Sequence, residues 1–338
     1  MPNARITSGI APIAFLCGSL SRIVPECENL GQIAKAIRRR LLLWVCLLVV
    51  WGSPGWLFAA DGNFDRGLLF RVVPPEDGPP SILFGTIHSD DPRVLALPSQ
   101  VRMHLDRAEA FVLEVVPDAH AMSASVAAMT YDDDRVLSQV VPEDVYRDSI
   151  AALAARGLPE IAVRSFKPWA VMLLLSIPVA KTGQFLDLEL YQRALENGTP
   201  VRGLETMDEQ VAVFEGLEEA DQVSLLRETL ASLADMPGLF ESLIDAYERS
   251  DLAALMQLGD SYLGGADADV ARRFRDALID ARNARMAQRV LPMIGQGGHF
   301  IAVGALHLPG SGGVLDRLAA AGCDIERLYR SIPARRLC

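Results

Sequence analysis

Short apolar runs along the chain predict its strands. The predicted strands cover residues 68–73, 81–85, 110–116, 200–206, 297–307 and 323–329. The first two runs are joined by a turn rich in proline and glycine, and the third run is apolar except for Glu114. Runs of this length, bounded by turn residues, are typical of strands in a buried sheet.

Longer segments have the apolar spacing of amphipathic helices. They cover residues 98–108, 138–157, 185–198, 207–262, 271–293 and 313–322. Residues 168–180 are the most apolar part of the body, but this segment contains Pro178 and is shorter than the roughly 20 residues that cross a bilayer. We predict that it forms a buried core helix.

Two stretches of the chain repeat one device. FGTIHSDD at residues 84–91 and VGALHLPG at residues 303–310 each continue an apolar run into Gly-x-x-His, and each is followed by a predicted helix and strand. The sequence therefore predicts a single α/β domain over residues 61–338, with a central sheet built from two pseudo-repeated strand-GxxH-helix-strand modules. A helical insertion at about residues 207–293 forms the middle of this domain.

Residues 1–60 have the layout of a leader. Three arginines at residues 38–40 precede an apolar run at residues 41–51, which is followed by glycine, proline and small residues. This order is typical of a secretory signal. We predict that the chain is exported to the periplasm; the alternative is an inner-membrane anchor formed by residues 41–60, which is the only membrane contact that the sequence predicts.

Charge and cysteine content exclude two kinds of site. Residues 61–338 carry 26 basic and 41 acidic side chains, a net charge of −15, and no basic run. A body this acidic does not attract nucleic acid. It keeps only Cys323 and Cys338, without a Cys-x-x-Cys motif, so a cysteine zinc site is excluded. These two thiols either pair in an oxidising compartment or stay unpaired.

The two GxxH histidines, His88 and His307, each follow the end of a predicted strand. The carboxyl ends of strands are where α/β sheets bind ligands, and the glycine three residues earlier lets the chain bend sharply. Glu114 is a charge in an apolar strand and needs a compensating partner. Two histidines and a glutamate form the ligand set of a catalytic zinc or a similar divalent ion.

Simpler interpretations of these residues stay open. Either GxxH histidine, taken alone, is a turn residue or a hydrogen-bonded polar group, and Glu114 alone is an edge charge or a salt-bridge partner. His299 follows two glycines and competes with His307 as a ligand. Glu205 precedes a predicted helix, whose N-terminus its carboxylate would stabilise.

Several blocks of the sequence resemble the TraB/GumN family, which is related to TIKI-type proteins proposed as metalloproteases. The blocks are SILFGTIHSDD (81–91), FVLEV (111–115), LDLELYQRALENGTPVRGLET (186–206) with DEQ (208–210), RNARMA (282–287) and HFIAVGALHLPGSGGVLDRLAAAGCDIERL (299–328). They occur in the family's order and span nearly the whole body. The resemblance implies a bacterial, commonly exported α/β protein.

The resemblance also implies site residues. It marks His88, Glu114 and His307 as metal or catalytic residues, Arg282 as the family's arginine, and Glu205 as a second acidic position. It implies a peptidase-like hydrolase that uses a divalent metal ion (Zn, Mn or Co) on a peptide or another small hydrolysable substrate. Glu114 would be a third ligand or the base that acts on a metal-bound water.

Arg282 and the overall function both have alternatives. Arg282 would stabilise an oxyanion or orient a substrate carboxylate, or it would only form an ion pair with Glu114. The chain could instead be a binding protein that presents residues 207–262 to a partner, or an envelope or polysaccharide-associated protein without a metal. A metal-independent, esterase-like hydrolase that uses His88 and Glu114 is the remaining alternative.

Overall fold

A computed structural model describes residues 64–178, 182–262 and 265–328. All of these residues belong to one compact unit, Asp61–Cys338. The predicted leader and the apolar run at residues 41–51 lie outside the described residues, and so does Cys338, so the pairing of Cys323 with it stays a prediction.

The described residues form a six-stranded sheet and the helices around it. The strands are β1 (Leu69–Val73), β2 (Ser81–Thr86), β3 (Ala110–Leu113), β4 (Val201–Gly203), β5 (His299–Gly304) and β6 (Asp324–Arg327). The helices before β4 are α1 (Pro92–Leu95), α2 (Ser99–Asp106), α3 (Ala119–Ala128), α4 (Leu137–Val140), α5 (Glu143–Ala155), α6 (Glu160–Val163), α7 (Pro168–Ser176) and α8 (Leu186–Glu196).

The chain between β4 and β5 is helical. It contains α9 (Met207–Glu215), α10 (Glu219–Ser232), α11 (Met236–Glu248), α12 (Leu252–Tyr262), α13 (Ala268–Arg275), a π-helical turn (Asp276–Asp280) and α14 (Ala281–Gln296). A 3₁₀ turn (Ala305–His307) and α15 (Val314–Ala320) follow β5. Among the helices of the described residues, none is both long and apolar enough to cross a membrane.

The order of strands in the sheet is β4-β3-β5-β2-β1-β6. Strands β4, β3, β5 and β2 run parallel, whereas β1 is antiparallel to both β2 and β6. From the central pair β2 and β5, the chain leaves in opposite directions: β2 leads to β3 beyond β5, and β5 leads to β6 beyond β1. This reversal leaves a crevice at the carboxyl ends of the two strands. The α/β prediction is confirmed. The strands of the two GxxH modules alternate in the sheet, because β5 lies between β3 and β2, and β2 lies between β5 and β6.

The burial of each strand follows its place in the sheet. The central strands β2, β3 and β5 are buried almost throughout, whereas the edge strands β4 and β6 are largely exposed. Parallel strands covered on both faces need continuous apolar sequence. Phe84 and Phe111 each contact Phe300, with ring centroids 6.0 and 6.1 Å apart. These rings hold β2, β5 and β3 together as the centre of the core.

A second hydrophobic cluster lies among the helices. It is built from buried side chains of α4, α5, α7, α10 and α13. Helix α7, from the apolar segment at residues 168–180, buries Trp169, Val171 and Leu175. The part of this segment that the structure describes is therefore a core helix, as its sequence predicts.

Several predicted boundaries differ from the structure. The predicted strand at residues 297–307 ends at Gly304, and the predicted helical segment at residues 207–262 is divided into α9–α12. Strand β3 ends at Leu113, so Glu114 follows the strand instead of lying inside it. The predicted helix at residues 138–157 is interrupted at Pro142, which has no N–H to continue the hydrogen bonding. The predicted helix at residues 271–293 is divided by the π-helical turn.

Candidate functional site

The carboxyl ends of the four parallel strands lie along one side of the sheet, as their pairing registers require. This side is called the edge below, and it is distinct from the edge strands β4 and β6. The residues just beyond these ends are the candidates that the sequence singles out. His88 follows β2, Glu114 follows β3, Glu205 follows β4 and His307 follows β5. Parallel pairing therefore brings to one edge side chains that are far apart in the sequence.

The glycines of the two GxxH motifs allow the strand ends to pack closely. A Cβ atom on Gly85 would lie 2.7 Å from Cδ1 of Leu308 and 3.3 Å from Cα of Ala305, which both follow β5. A Cβ atom on Gly304 would lie 3.2 Å from Oε1 of Glu114. Each glycine is thus needed for close approach across the sheet.

Glu114 accepts hydrogen bonds on both carboxylate oxygens. Oε1 accepts from the backbone N–H of Gly304 at 2.6 Å. Oε2 accepts from Nη2 of Arg282 at 2.6 Å and from Nε2 of Gln210 at 3.3 Å. The partner that the sequence requires for this charge is therefore Arg282, reinforced by neutral donors.

Arg282 joins Glu114 to a second, fully buried carboxylate. Its Nε and Nη2 donate to Oε2 of Glu205 at 2.9 and 2.7 Å. Arg285 donates from Nε to the other oxygen of Glu205 at 3.0 Å, and Nη1 of Arg282 donates to the carbonyl of Leu278 at 3.4 Å. Two arginines and two glutamates thus neutralise one another beneath the edge, which keeps Glu205 from being an uncompensated buried charge.

His307 is buried and held through its Nδ1 atom. Nδ1 lies 2.7 Å from Oδ1 of Asn283, whose amide is itself buried. With Oδ1 as acceptor, Nδ1 carries the proton, and in the neutral ring Nε2 keeps its lone pair. Nε2 lies 3.8 Å from Oε1 of Glu114. Asn283 therefore selects the tautomer whose free nitrogen faces the carboxylate.

The pKa values of this pair shift in the same direction. Burial lowers the pKa of His307, and the attraction of Glu114 opposes that shift only in part, so the imidazole is neutral at pH 7. Burial alone would raise the pKa of Glu114, but His307, Arg282 and the Gly304 N–H outweigh it and lower the pKa. Since His307 is neutral, Arg282 and Gly304 are the groups that keep Glu114 ionised at pH 7.

His88 has a different environment at the same edge. Its ring stacks on Phe185, with centroids 4.2 Å apart, and its side chain is 60% exposed. Nδ1 lies 3.6 Å from Oδ2 of Asp187, whose Oδ1 accepts a hydrogen bond from Thr86 at 2.7 Å. The Asp187 carboxylate also acts on Glu114, where it raises the pKa. Asp187 therefore pairs with His88 and also acts on the carboxylate that faces His307.

Sequence reasoning missed four of the contacting residues: Gln210, Asp187, Asn283 and Arg285. All four lie within the blocks LDLEL, DEQ and RNARMA, which carry the family resemblance, but no local pattern distinguishes them. The π-helical turn just before α14 contributes to the placement of Asn283 and Arg285, because one extra residue rotates all later side chains of the helix by about 100°. Such turns are frequent at functional sites.

His299 does not compete with His307. It is the first residue of β5 and pairs with Ala110, the first residue of β3, at the opposite edge of the sheet. Its ring is buried, and Nδ1 has no hydrogen-bond partner within the described residues. The length of β5 therefore separates the two histidines.

The predicted metal ligands are His88, Glu114 and His307. Within residues 64–178, 182–262 and 265–328, no three His, Cys, Asp or Glu side chains are grouped so as to hold a metal ion. The donor types nevertheless suit a divalent ion, because His307 offers a free Nε2 whose ring is oriented by Asn283, as ligating imidazoles usually are. His88, Glu114 and His307 share an edge but do not form a coordination group in this arrangement.

The sequence of this chain matches a known protein family. The model of the TraB/PrgY/gumN family matches residues 69–327, which include every residue of the site. Metalloprotease TIKI2 of Danio rerio is 26% identical over 314 residues, covering 77% of this chain and 61% of the relative. Metalloprotease TIKI2 of Xenopus tropicalis is 26% identical over 304 residues, covering 73% and 58%.

The match to these relatives is partial, since the chain spans about three fifths of their length. No solved structure gives a significant match. The family match covers well over half of the chain, from the first strand of the sheet to the last. On this evidence the chain belongs to the TraB/PrgY/gumN family.

Proposed function

We propose that this chain is a metal-dependent, protease-like hydrolase whose active site is the edge formed by His88, Glu114 and His307. The observation that carries the proposal is the pairing of a neutral, tautomer-fixed His307 with an ionised Glu114 at the switch point of the sheet. The similarity to proteins named metalloproteases supports the reaction class.

A divalent ion, Zn, Mn or Co, would be held by Nε2 of His307 together with His88 and Glu114. When bound, such an ion lowers the pKa of water and polarises a substrate carbonyl. The donor types meet this requirement, and Asn283 gives His307 the tautomer that a ligand needs. Asp187 adds a carboxylate beside His88.

The chain's own residues have separate tasks in this proposal. Glu114 is held as a carboxylate, so at neutral pH it can accept a proton from a nucleophilic water. Arg282 positions Glu114, because its Nε and Nη2 already donate to Glu114 and Glu205. A substrate oxyanion would have to compete with these two carboxylates, so we assign Arg282 a positioning role. Glu205 keeps Arg282 in place.

A second candidate is hydrolysis without a metal. It is favoured by the 3.8 Å separation of Nε2 of His307 from Oε1 of Glu114, because these two unprotonated groups form a dyad of bases that could take a proton from a water held between them. In that case His88 would contribute through its exposed ring, as the sequence-based alternative requires. Sensitivity to a chelator separates the two candidates.

The test is cleavage of a quenched fluorescent peptide library by the full-length chain, after treatment with EDTA and after addition of Zn²⁺, Mn²⁺ or Co²⁺. We expect metal to restore cleavage and His307→Ala or Glu114→Gln to lower it by at least about 100-fold. His120→Ala is the matched control, because His120 is an exposed histidine on α3.

The outcomes of this test are distinct. Cleavage that is unaffected by EDTA but lost in His307→Ala would favour the metal-free dyad. Equal cleavage by His307→Ala and His120→Ala would overturn both candidates, because both assign a role to His307. No cleavage by any of the proteins would leave the binding-protein alternative. One equivalent of bound metal without cleavage would also support that alternative.

The location of the protein is a separate proposal. We infer from the sequence of residues 1–60 that the chain is exported to the periplasm, with an inner-membrane anchor at residues 41–60 as the alternative. Cell fractionation and mass measurement of the mature N-terminus check it. A cytoplasmic chain that begins at Met1 would contradict both versions.

A further inference from the structure

A cavity of about 260 Å³ lies next to the candidate active site and has no place in the chemistry above. Helices α7, α10, α12 and α13 surround it together with the π-helical turn and the 3₁₀ turn after β5. It lies where the helical hydrophobic cluster meets the core of the sheet. Its apolar lining includes Leu173, Phe214, Phe274, Leu278, Ile279 and Leu306.

Two lining residues connect the cavity to the site. Leu306 directly precedes His307 in the 3₁₀ turn, so successive residues contribute to the cavity and to the site. Leu278 accepts a hydrogen bond from Arg282 on its carbonyl oxygen. A group bound in the cavity would therefore lie next to segments that carry His307 and hold Arg282.

The polar lining groups have partners in the protein. The Tyr262 hydroxyl lies 2.7 Å from Oγ of Ser176 and 2.9 Å from Oγ1 of Thr229. Arg275 forms an ion pair with Asp260, and both side chains are partly exposed. Glu228 accepts a hydrogen bond from Ser232 at 3.4 Å. Because these groups are paired, the cavity favours an apolar occupant.

The size of the cavity restricts the occupant further. An apolar cavity of about 150 Å³ holds a benzene ring, whereas pockets for drug-sized ligands start at about 300 Å³. A volume of about 260 Å³ suits one large apolar side chain. We propose that this cavity is a specificity pocket for a large apolar side chain, such as Leu, Met or Phe, of a polypeptide substrate. The substrate assignment rests on the proposed hydrolase function.

Gly259 provides a way to fill the cavity without disturbing the fold. It lines the cavity from α12, and a Cβ atom there would have Leu306 as its nearest contact, at 3.7 Å. Gly259→Leu therefore places a side chain in the cavity, and it also improves helix propensity. Gly238→Leu is the matched control, because Gly238 is exposed on α11 and a Cβ atom there has nothing within 4 Å.

The first experiment measures binding without requiring catalysis. The full-length chain is titrated with N-phenyl-1-naphthylamine, a neutral apolar fluorophore. We expect the wild type and Gly238→Leu to bind it and Gly259→Leu to bind at least about 10-fold more weakly. Chemical unfolding checks that Gly259→Leu is folded. Equal binding by both variants would overturn the assignment of the cavity.

The second experiment measures side-chain preference in matched peptides that carry Leu, Phe or Ala next to the scissile bond. Burial of a large apolar side chain predicts a kcat/KM about 10- to 100-fold higher for Leu or Phe than for Ala. Gly259→Leu should lose this preference, and Gly238→Leu should keep it. Cleavage without preference would overturn the specificity pocket alone. No cleavage with intact probe binding would overturn the proposed hydrolase, and the substrate assignment with it.

Discussion

The two GxxH motifs of this chain have the same sequence pattern and opposite surroundings. His307 is 6% exposed, fixed by Asn283 and placed opposite Glu114. His88 is 60% exposed, stacked on Phe185 and supported by an Asp187 carboxylate 3.6 Å away. One histidine belongs to the buried network and the other to the solvent side of the same edge.

This difference shows that a repeated motif specifies a position and not a role. Both glycines allow close packing at the carboxyl ends of adjacent strands, and both histidines follow that point. The role is then set by the helix that meets each strand end: α14 supplies Asn283 and Arg282 to one side, and α8 supplies Asp187 to the other. The predictions below test this asymmetry, starting with the largest expected effect.

Removal of the Arg282 guanidinium, on the His307 side, should lower the stability of the fold most. Arg282→Met leaves Glu205 and Glu114 without their shared partner, which should lower the free energy of unfolding by about 3–5 kcal/mol. Asp187→Asn, on the exposed side, should change it by about 1 kcal/mol or less. Urea unfolding of the full-length variants measures both.

A neutralised network provides the control for this prediction. Arg282→Met combined with Glu114→Gln and Glu205→Gln should recover part of the lost stability, because the penalty comes from uncompensated charge. Equal losses in Arg282→Met and Asp187→Asn would mean that the two sides do not differ in burial.

Asn283 should matter more for metal affinity than Asp187. Asn283→Leu removes the acceptor that fixes the His307 tautomer, so we expect about 10- to 100-fold weaker binding of Zn²⁺ or Mn²⁺. Asp187→Asn should have a smaller effect, because its partner ring is exposed and 3.6 Å away. Equilibrium dialysis measures both affinities. A larger effect in Asp187→Asn would mean that His88 contributes more to metal binding than His307 does.

The two motif glycines should differ in their tolerance of a methyl group. Gly85→Ala would place Cβ 2.7 Å from Leu308 and 3.3 Å from the backbone of Ala305, so we expect a loss of about 1–3 kcal/mol in unfolding free energy. Gly304→Ala meets Glu114 at 3.2 Å and should cost less, because a side chain can adjust. Thermal unfolding ranks the two variants. The opposite order would show that the packing between β2 and the turn after β5 is loose.

The pH dependence of stability should carry a contribution from His307. Its pKa is lowered in the folded protein, so the unfolded chain binds the proton first and stability falls as pH drops below about 6.5. The slope from this group is at most about 1.4 kcal/mol per pH unit and ends at the lower, folded pKa. Glu114, whose pKa is also lowered, adds a further loss below about pH 4.3.

Unfolding at several pH values between 7.5 and 5, in buffer with EDTA, checks this prediction. The variant His307→Gln should have a shallower slope than the wild type. Burial also lowers the pKa of His104, so some slope should persist and decrease further in the double variant with His104→Gln. An unchanged slope in His307→Gln would show that His307 takes up its proton at the same pH in both states.

Much of the fold can be predicted from local pattern. The apolar runs give the strands of the sheet because buried parallel strands need continuous apolar sequence. The charge of Glu114 is conspicuous for the same reason, since it follows such a run directly. The boundaries were less accurate, because the ends of a strand depend on its pairing with remote segments, which for β3 are β4 and β5.

The supporting residues of the site could not be predicted in this way. Asn283 resembles any polar residue of an amphipathic helix until α14 packs against the edge of the sheet and buries it against His307. Asp187 is an ordinary acidic residue in the first turn of α8 until Thr86, 101 positions earlier, donates to it. Their functions depend on contacts between distant segments, which leave no local periodicity.

The sequence by itself determined that strands at both ends of the chain deliver glycine and histidine, and that one glutamate needs a partner. It did so because burial and backbone conformation restrict which residue types can occupy those positions. Only the tertiary structure decided that Glu114 joins Arg282 and His307, and that His88 joins Asp187. Strand order and helix packing set distances between remote residues, and those distances determine which charges neutralise each other and which histidine loses contact with water.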